Sequence, residues 1–369
     1  LDDKQPGWVL MVSGQWFNRH ETWANHANVW MDYLGRSSYM LRQGHYVADV
    51  LYYYGEDNNI TGLFGDYGNP VMPQGYSFDY LNADALTRLV EVKDGRLTTP
   101  SGMSYRILYL DKNVKTMSMP VLRKLAELAE QGAVICGYRP QQPASLADDA
   151  LEFNALVDKI WNSGRKNVYF TAMEIEKVLK AEGVAPDFLY DAARIPEMRY
   201  VHRTTADSEI YWVNKHDDQT VTTEVSFRVT GKVPEIWHPD NGQVERADYR
   251  EVNGRTLVTL HLVPDDAVFV VFKQNATHQV LATTRAITQG GENIPVEGAW
   301  EVSFQAQRGA PEKATFNELK SFTEQTDPGI KYFSGEAVYS KTVTINKKQF
   351  ANHQNFVLDL GEVGVMAEV

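Results

Sequence analysis

The chain carries a single cysteine, Cys136, in 369 residues. No intrachain disulfide can therefore brace the fold, and the cysteine count leaves the compartment open. No run of about 18 apolar residues occurs, so no membrane-spanning helix is encoded. Clustered positive charge is also missing: 36 Lys and Arg face 48 Asp and Glu, a net charge of −12. Nucleic-acid binding draws on basic patches and is disfavoured. The nine His are scattered without an H-E-x-x-H pair, and His20 and His26 fall on different helix faces, so no transition-metal site is read. No G-x-G-x-x-G or P-loop follows a strand pattern, which removes the usual phosphate cradle. The opening LDDKQPGWVL has neither an initiator Met nor a basic segment leading into an apolar one, and does not read as a signal peptide. The closing FVLDLGEVGVMAEV stops after an apolar alternating stretch. Both ends are expected to be cut from a longer protein.

What the chain does hold is aromatic: eight Trp, 19 Tyr and 15 Phe. Rings of this kind suit sugar-facing or interface surfaces, and equally fill cores. Between Gly14 and Glu56 a polar loop packs Trp16, Asn18, Arg19, His20, Glu21 and Trp23 just ahead of a helical pattern. Trp23, Ala27, Trp30, Leu34 and Leu41 fall at helical spacing and Gly44 supplies a stop, so residues ~22–43 are expected to form a helix with one buried face.

The β-rich VADVLYYY follows, and then a long Gly- and Pro-punctuated loop, DNNITGLFGDYGNPVMPQGYSFDY. NADALTRL reads as a helix, and LVEVKDGRLTTPSGMSY as a hairpin turning at Asp94-Gly95. YRILYL, AVICGY and NVYF are strands separated by the helices PVLRKLAELAEQG and DDALEFNALVDKIWNSG, with AMEIEKVLKAEG as a further helix. Such alternation predicts a parallel, doubly wound α/β region. From Met198 to Lys273 the period changes to two, with turns at Asp240-Asn241-Gly242 and Asn253-Gly254, which predicts a β-sandwich. A polar connector leads to AWEVSFQ, GEAVYSKTVTI and NFVLDL, read as strands of an unfinished β domain.

Cys136 ends a strand, but its context Val134-Ile135-Cys136-Gly137-Tyr138 has only one of the glycines a nucleophile elbow needs and no evident base after it. It reads as a core residue. No nucleotide or metal chemistry is supported. Carboxylate chemistry remains, because sugar hydrolysis needs two carboxyl groups flanking the bond. Glu21, Glu56 and Asp79 are the candidate catalytic residues, each accompanied by aromatics. Singly, such residues are more often solvated groups or helix caps, and Asp84 suits a helix first turn.

The ordered segments GQWFNRHETWA, WMDYLGRSSYMLRQGHYVADVLYYYGE, PQGYSFDYLNADAL, DGRLTTPSGMSYRILYL, VSFRVTGKVPEIWHPDNG and GIKYFSGEAVYSKTVTI resemble the glycoside hydrolase family 106 α-L-rhamnosidases. The resemblance implies a multidomain α/β plus β protein. Residues 1–45 would be the last β/α unit of a (β/α)₈ barrel, and 46–197 an amidotransferase-like, flavodoxin-like α/β domain. Residues 198–274 would be a β-sandwich, and 275–369 a truncated sugar-binding jelly roll like that of family 2 glycosidases. It further implies an inverting hydrolysis by two Glu, a rhamnose-containing glycan as substrate, calcium in the longer protein, and a periplasmic or secreted location.

Loops at the C-terminal face of a barrel hold substrate, which would give Trp16, Asn18, Arg19, Glu21 and Trp23 to sugar binding, joined by Tyr76, Asp79 and Asn82. The family's two Glu map onto no residue here. Trp23 equally opens the helix stripe. The chain would then be either part of a hydrolase or a non-catalytic, carbohydrate-binding scaffold.

Overall fold

The computed structural model describes residues 23–56, 70–170, 174–275, 294–345, 347, 358–364 and 366–369. Trp16, Asn18, Arg19 and Glu21, with most of the connector 275–298, lie outside them. Helix α1, Ala27–Leu41, follows a 3-10 turn at Ala24–His26. The expected buried stripe is not found along it: Trp30, Leu34 and Met31 are 43%, 41% and 51% exposed. Only Ser37 and Met40 are buried, where the end of the helix meets Ile210, Phe269 and Val271. Apolar spacing set the helix, but spacing does not say which turns meet a partner. Gly44 follows with φ +52°, and a Cβ there would sit 1.9 Å from the carbonyl oxygen of Thr204, so the close approach admits only glycine.

The expected parallel sheet is present. Its strands are β1 (Val50–Tyr53), β2 (Phe78–Leu81), β3 (Ile107–Leu110), β4 (Val134–Gly137) and β5 (Val168–Phe170). All neighbours pair in parallel, in the order β5-β4-β3-β1-β2. That is one of the two common doubly wound orders. Side chains alternate across it: Leu108 and Leu110 join one core with Leu86, Leu122 and Phe153, while Ile107 joins another with Cys136, Val178 and Leu179.

The helices on the two faces are α2 (Ala83–Leu89), α3 (Met119–Glu130), α4 (Ala150–Trp161) and α5 (Ile175–Ala181). Asp94 and Gly95 turn the expected hairpin with φ of 52° and 71°, the left-handed pair a tight hairpin needs. GYSFDY, expected to be the end of a long loop, instead runs into edge strand β2. Phe78 and Tyr80 are good strand formers, and both pack edge-on to Tyr52 of β1.

Two antiparallel sheets form the sandwich. One contains β6 (Met198–Thr204), β7 (Glu209–Lys215), β9 (Lys232–Trp237), β10 (Val244–Arg246) and β13 (Ala267–Asn275). The other contains β8 (Val221–Phe227), β11 (Tyr249–Val252) and β12 (Arg255–Leu262). Tyr211, Phe227, Val258 and Phe272 fill the space between them. Each sheet also takes a short strand from outside 198–274: His45–Tyr46 pairs with β6, and Phe188–Leu189 with β8.

Asp32–Thr284 is one compact unit; the residues up to Met31 and from Arg285 make a second. In the second, Trp300–Phe304, Lys313–Phe316 and Ala337–Ser340 (β14, β15 and β16) form an antiparallel sheet around Val302, Phe304 and Phe316. Of NFVLDL, Leu358–Leu360 is described and carries no strand. Among the described residues no helix is long and apolar enough to cross a membrane.

Candidate functional site

Four of the sequence-derived site residues, Trp16, Asn18, Arg19 and Glu21, fall outside the described residues; the other five are placed. Trp23 is half-buried and its carbonyl accepts from the His26 amide at 2.9 Å. Glu56 lies just past β1, where its carboxylate accepts from the Ser118 amide at 2.7 Å. It thus caps the start of α3. The Tyr76 hydroxyl donates to the Val184 carbonyl at 2.8 Å. Asp79, on β2, accepts from the Tyr105 hydroxyl at 2.7 Å and from the Tyr80 amide at 2.9 Å. The Asn82 side chain accepts from the Ala85 amide at 2.8 Å and caps α2.

The structure brings Asp79 and Asn82 onto one edge strand and its following turn, with Glu56 beyond the neighbouring strand. Tyr76 lies ahead of β2, tied to the stretch that follows α5. In each case the polar side chain completes a local backbone or hydroxyl hydrogen bond. Asp84 pairs with Arg88 one turn along α2 at 3.2 Å.

Cys136 is fully buried on β4, an inner strand of the parallel sheet, and burial pushes its thiol up to about 12. The thiolate a nucleophile requires is absent at neutral pH. Among the described residues no group of three or more His, Cys, Asp or Glu is placed to hold a metal ion.

The strongest electrostatic feature joins residues that no local pattern links. His202, buried on β6, presents Nδ1 to Asp187 at 2.8 Å and Nε2 to Glu209 at 3.1 Å. Its ring stacks on Tyr211 with centroids 3.8 Å apart, and the Tyr211 hydroxyl donates to Asp187 at 2.8 Å. Arg228, just past β8, donates to both carboxylate oxygens of Asp49, at 3.2 and 3.1 Å, and its Nε lies 3.4 Å from Asp187. Lys232 closes the chain on Glu209 at 3.0 Å.

Burial works to lower the His202 pKa, but hydrogen bonds and charge from Asp187 and Glu209 overcome it and leave the ring raised. Burial works to raise Asp187, and the His202 contact and Arg228 overcome it, leaving it lowered. Asp49 is held above its ordinary value, because burial there outweighs Arg228. Asp49 immediately precedes β1, an inner strand of the parallel sheet, while His202, Glu209 and Arg228 belong to the sandwich. The network therefore clasps the two layers. Asp49 and Asp187 are buried, Glu209 is half-buried, and all three are already paired, which fits structural bracing rather than proton transfer to a substrate. Only the alternation of each strand hinted at it, since the partners are spread from residue 49 to residue 232.

With that geometry in view, the mixed α/β layout is similar to a solved glycoside hydrolase. The chain is 40% identical to the structure of a rhamnosidase from Novosphingobium sp. PP1Y, with a TM-score of 0.83, covering 94% of this chain and 34% of that one. The family model for α-L-rhamnosidases matches residues 1–251. The chain belongs to that family, glycoside hydrolase family 106. A Formosa agariphila protein provisionally named a beta-glucuronidase is 32% identical over 278 residues, 73% of this chain and 23% of the relative. The chain thus spans about a quarter to a third of the length of these two proteins.

Proposed function

We propose that these residues belong to an inverting α-L-rhamnosidase that hydrolyses rhamnosides in polysaccharides or glycoconjugates, in the periplasm or outside the cell. The observation that carries the reading is the 40% identity to a rhamnosidase, held across 94% of this chain. In this reading residues 1–45 close a (β/α)₈ barrel whose other strands supply the acid and base. Residues 46–197 form the amidotransferase-like domain, 198–274 the sandwich and 275–369 the start of a sugar-binding jelly roll. The exposed apolar turns of α1 support a helix that packs within a larger barrel.

A second reading, a scaffold and carbohydrate-binding portion without activity of its own, is favoured by the side chains of Glu56 and Asp79, each already engaged in the α/β layer. Aryl α-L-rhamnoside and aryl β-D-glucuronide should be offered both to the 369-residue chain and to a longer protein containing it. Rhamnoside turnover by the longer protein alone is expected, with the product anomer read by proton NMR. Glucuronide turnover without rhamnoside turnover would overturn the substrate assignment. Robust turnover by the 369-residue chain would return Glu21, Glu56 and Asp79 to the head of the catalytic candidates.

A further inference from the structure

Gly35 sits inside helix α1, where glycine is the poorest helix former after proline. Nothing in the backbone demands it: its φ is not left-handed, and a Cβ built on it meets no atom within 4 Å. The missing side chain leaves open space. That space is a cleft of about 450 Å³ between the last turns of α1 and the hairpin of β9 and β10, within the range of about 300–1,000 Å³ typical of small-molecule sites.

Aromatic and apolar groups dominate its walls, with Tyr39, Met40, Trp237 and Phe269 set beside the polar Arg36 and His238. The rings and donors are held in place. Trp237 Nε1 donates to Glu235 at 3.0 Å, and the Lys273 ammonium lies 4.0 Å from the centre of the Trp237 ring. Arg36 donates to the carbonyls of Pro239 and Asp240, both at 3.0 Å, which pins the hairpin turn to the helix. Gly242 makes that clip possible, since a Cβ there would come within 3.1 Å of the Arg36 side chain. His238 is oriented by Glu245 at 3.1 Å. Tyr39 remains 66% exposed, so its ring faces solvent at the cleft's edge.

We infer that this cleft is a non-catalytic binding site for a single pyranoside ring. A sugar offers one face of C–H groups and a rim of hydroxyls. Fixed aromatic rings beside fixed polar groups match both, and the apolar lining favours a 6-deoxy sugar, whose C5 substituent is a methyl group. The choice of rhamnoside as the probe rests on the proposed function, whereas the existence of the site does not. Binding is measured on this chain and turnover on the longer protein, so either reading can fail without the other.

The test is calorimetric and fluorescence titration of the 369-residue chain with methyl α-L-rhamnopyranoside, with 4-nitrophenol as a flat apolar control. Saturable binding with Kd on the order of 1 mM is expected, as befits one ring on one platform. Gly35→Leu should weaken it at least tenfold while leaving Tm equal or higher, because leucine fills the space and favours the helix. Tyr39→Ala should weaken it severalfold, and Tyr138→Ala, an exposed aromatic away from the cleft, should leave it unchanged. The inference is overturned by absence of rhamnoside binding, by wild-type affinity in Gly35→Leu, by loss of binding in Tyr138→Ala alone, or by 4-nitrophenol binding where the glycoside does not.

Discussion

Replacing Arg228 by Met keeps the aliphatic stem and removes the charge that Asp49 and Asp187 share. Both carboxylates are nearly buried, with side-chain exposures of 4% and 3%. Removing one partner of such a pair costs about 3–5 kcal/mol, since the other charge is left without compensation. For a unit of this size each kcal/mol moves Tm by roughly 2–4 °C, giving a range of roughly 6–20 °C. Arg228 itself is 28% exposed, so water reaches the site and softens the loss toward the lower end, roughly 6–10 °C.

Asp49→Asn in the same background removes a stranded charge and should recover part of the loss, a coupling of about 0.5–3 kcal/mol. The assay is a thermal melt of wild type, both single variants and the double variant. A shift under about 2 °C for Arg228→Met, or strict additivity in the double variant, would refute the clasp.

The same network fixes a pH dependence. His202 is raised above its ordinary 6.5, so its contribution is full below 6.5 and is lost as pH climbs through the raised value. Asp187 and Glu209 are lowered from 3.8 and 4.5, so theirs is full above those values and lost on acidification. Melting temperature should therefore peak between about 4.5 and 6.5, and His202→Gln should flatten its alkaline side. Gly44→Ala should cost more than about 1 kcal/mol, because the site demands a left-handed backbone and has no room for a Cβ, and a denaturant melt measures it. Cys136 should resist a thiol reagent in the native chain and react once the chain is unfolded, as followed by labelling against denaturant. In a longer protein with activity, Trp16→Ala and Glu21→Gln should each lower kcat/KM about ten- to a hundredfold without moving Tm. Trp23→Ala should lower Tm instead, and wild-type kcat/KM in the first two variants would make the opening loop structural.

Strands were the most legible elements, because burial on both faces leaves short runs such as YRILYL and AVICGY that nothing else explains. Turns were legible too: Asp94-Gly95 and Asn253-Gly254 adopt the left-handed angles their residue types favour. FDYL was missed as a strand because the Gly- and Pro-rich residues before it carried the stronger signal. The side of α1 that meets a partner was hidden as well, since periodicity records a stripe and not its neighbour. Polar residues proved hardest to place. Asp79 and Asn82 stand beside aromatics as a sugar site would arrange them, yet in the described layer they serve Tyr105 and the start of α2. The clasp around Asp187 needs five segments to meet, and no single strand contains more than two of its members.

The borrowed strands bear on how this architecture can be cut and recombined. His45–Tyr46 closes one edge of the sandwich only a few residues before the chain enters the parallel sheet at β1, and Phe188–Leu189 closes another on the way back. A polypeptide beginning at Met198 would leave the edges of β6 and β8 bare, ready to pair with another chain. One ending near residue 190 would carry two orphan strands. The layers are thus sewn together by the chain path itself, and inheritance or engineering has to move them as a pair.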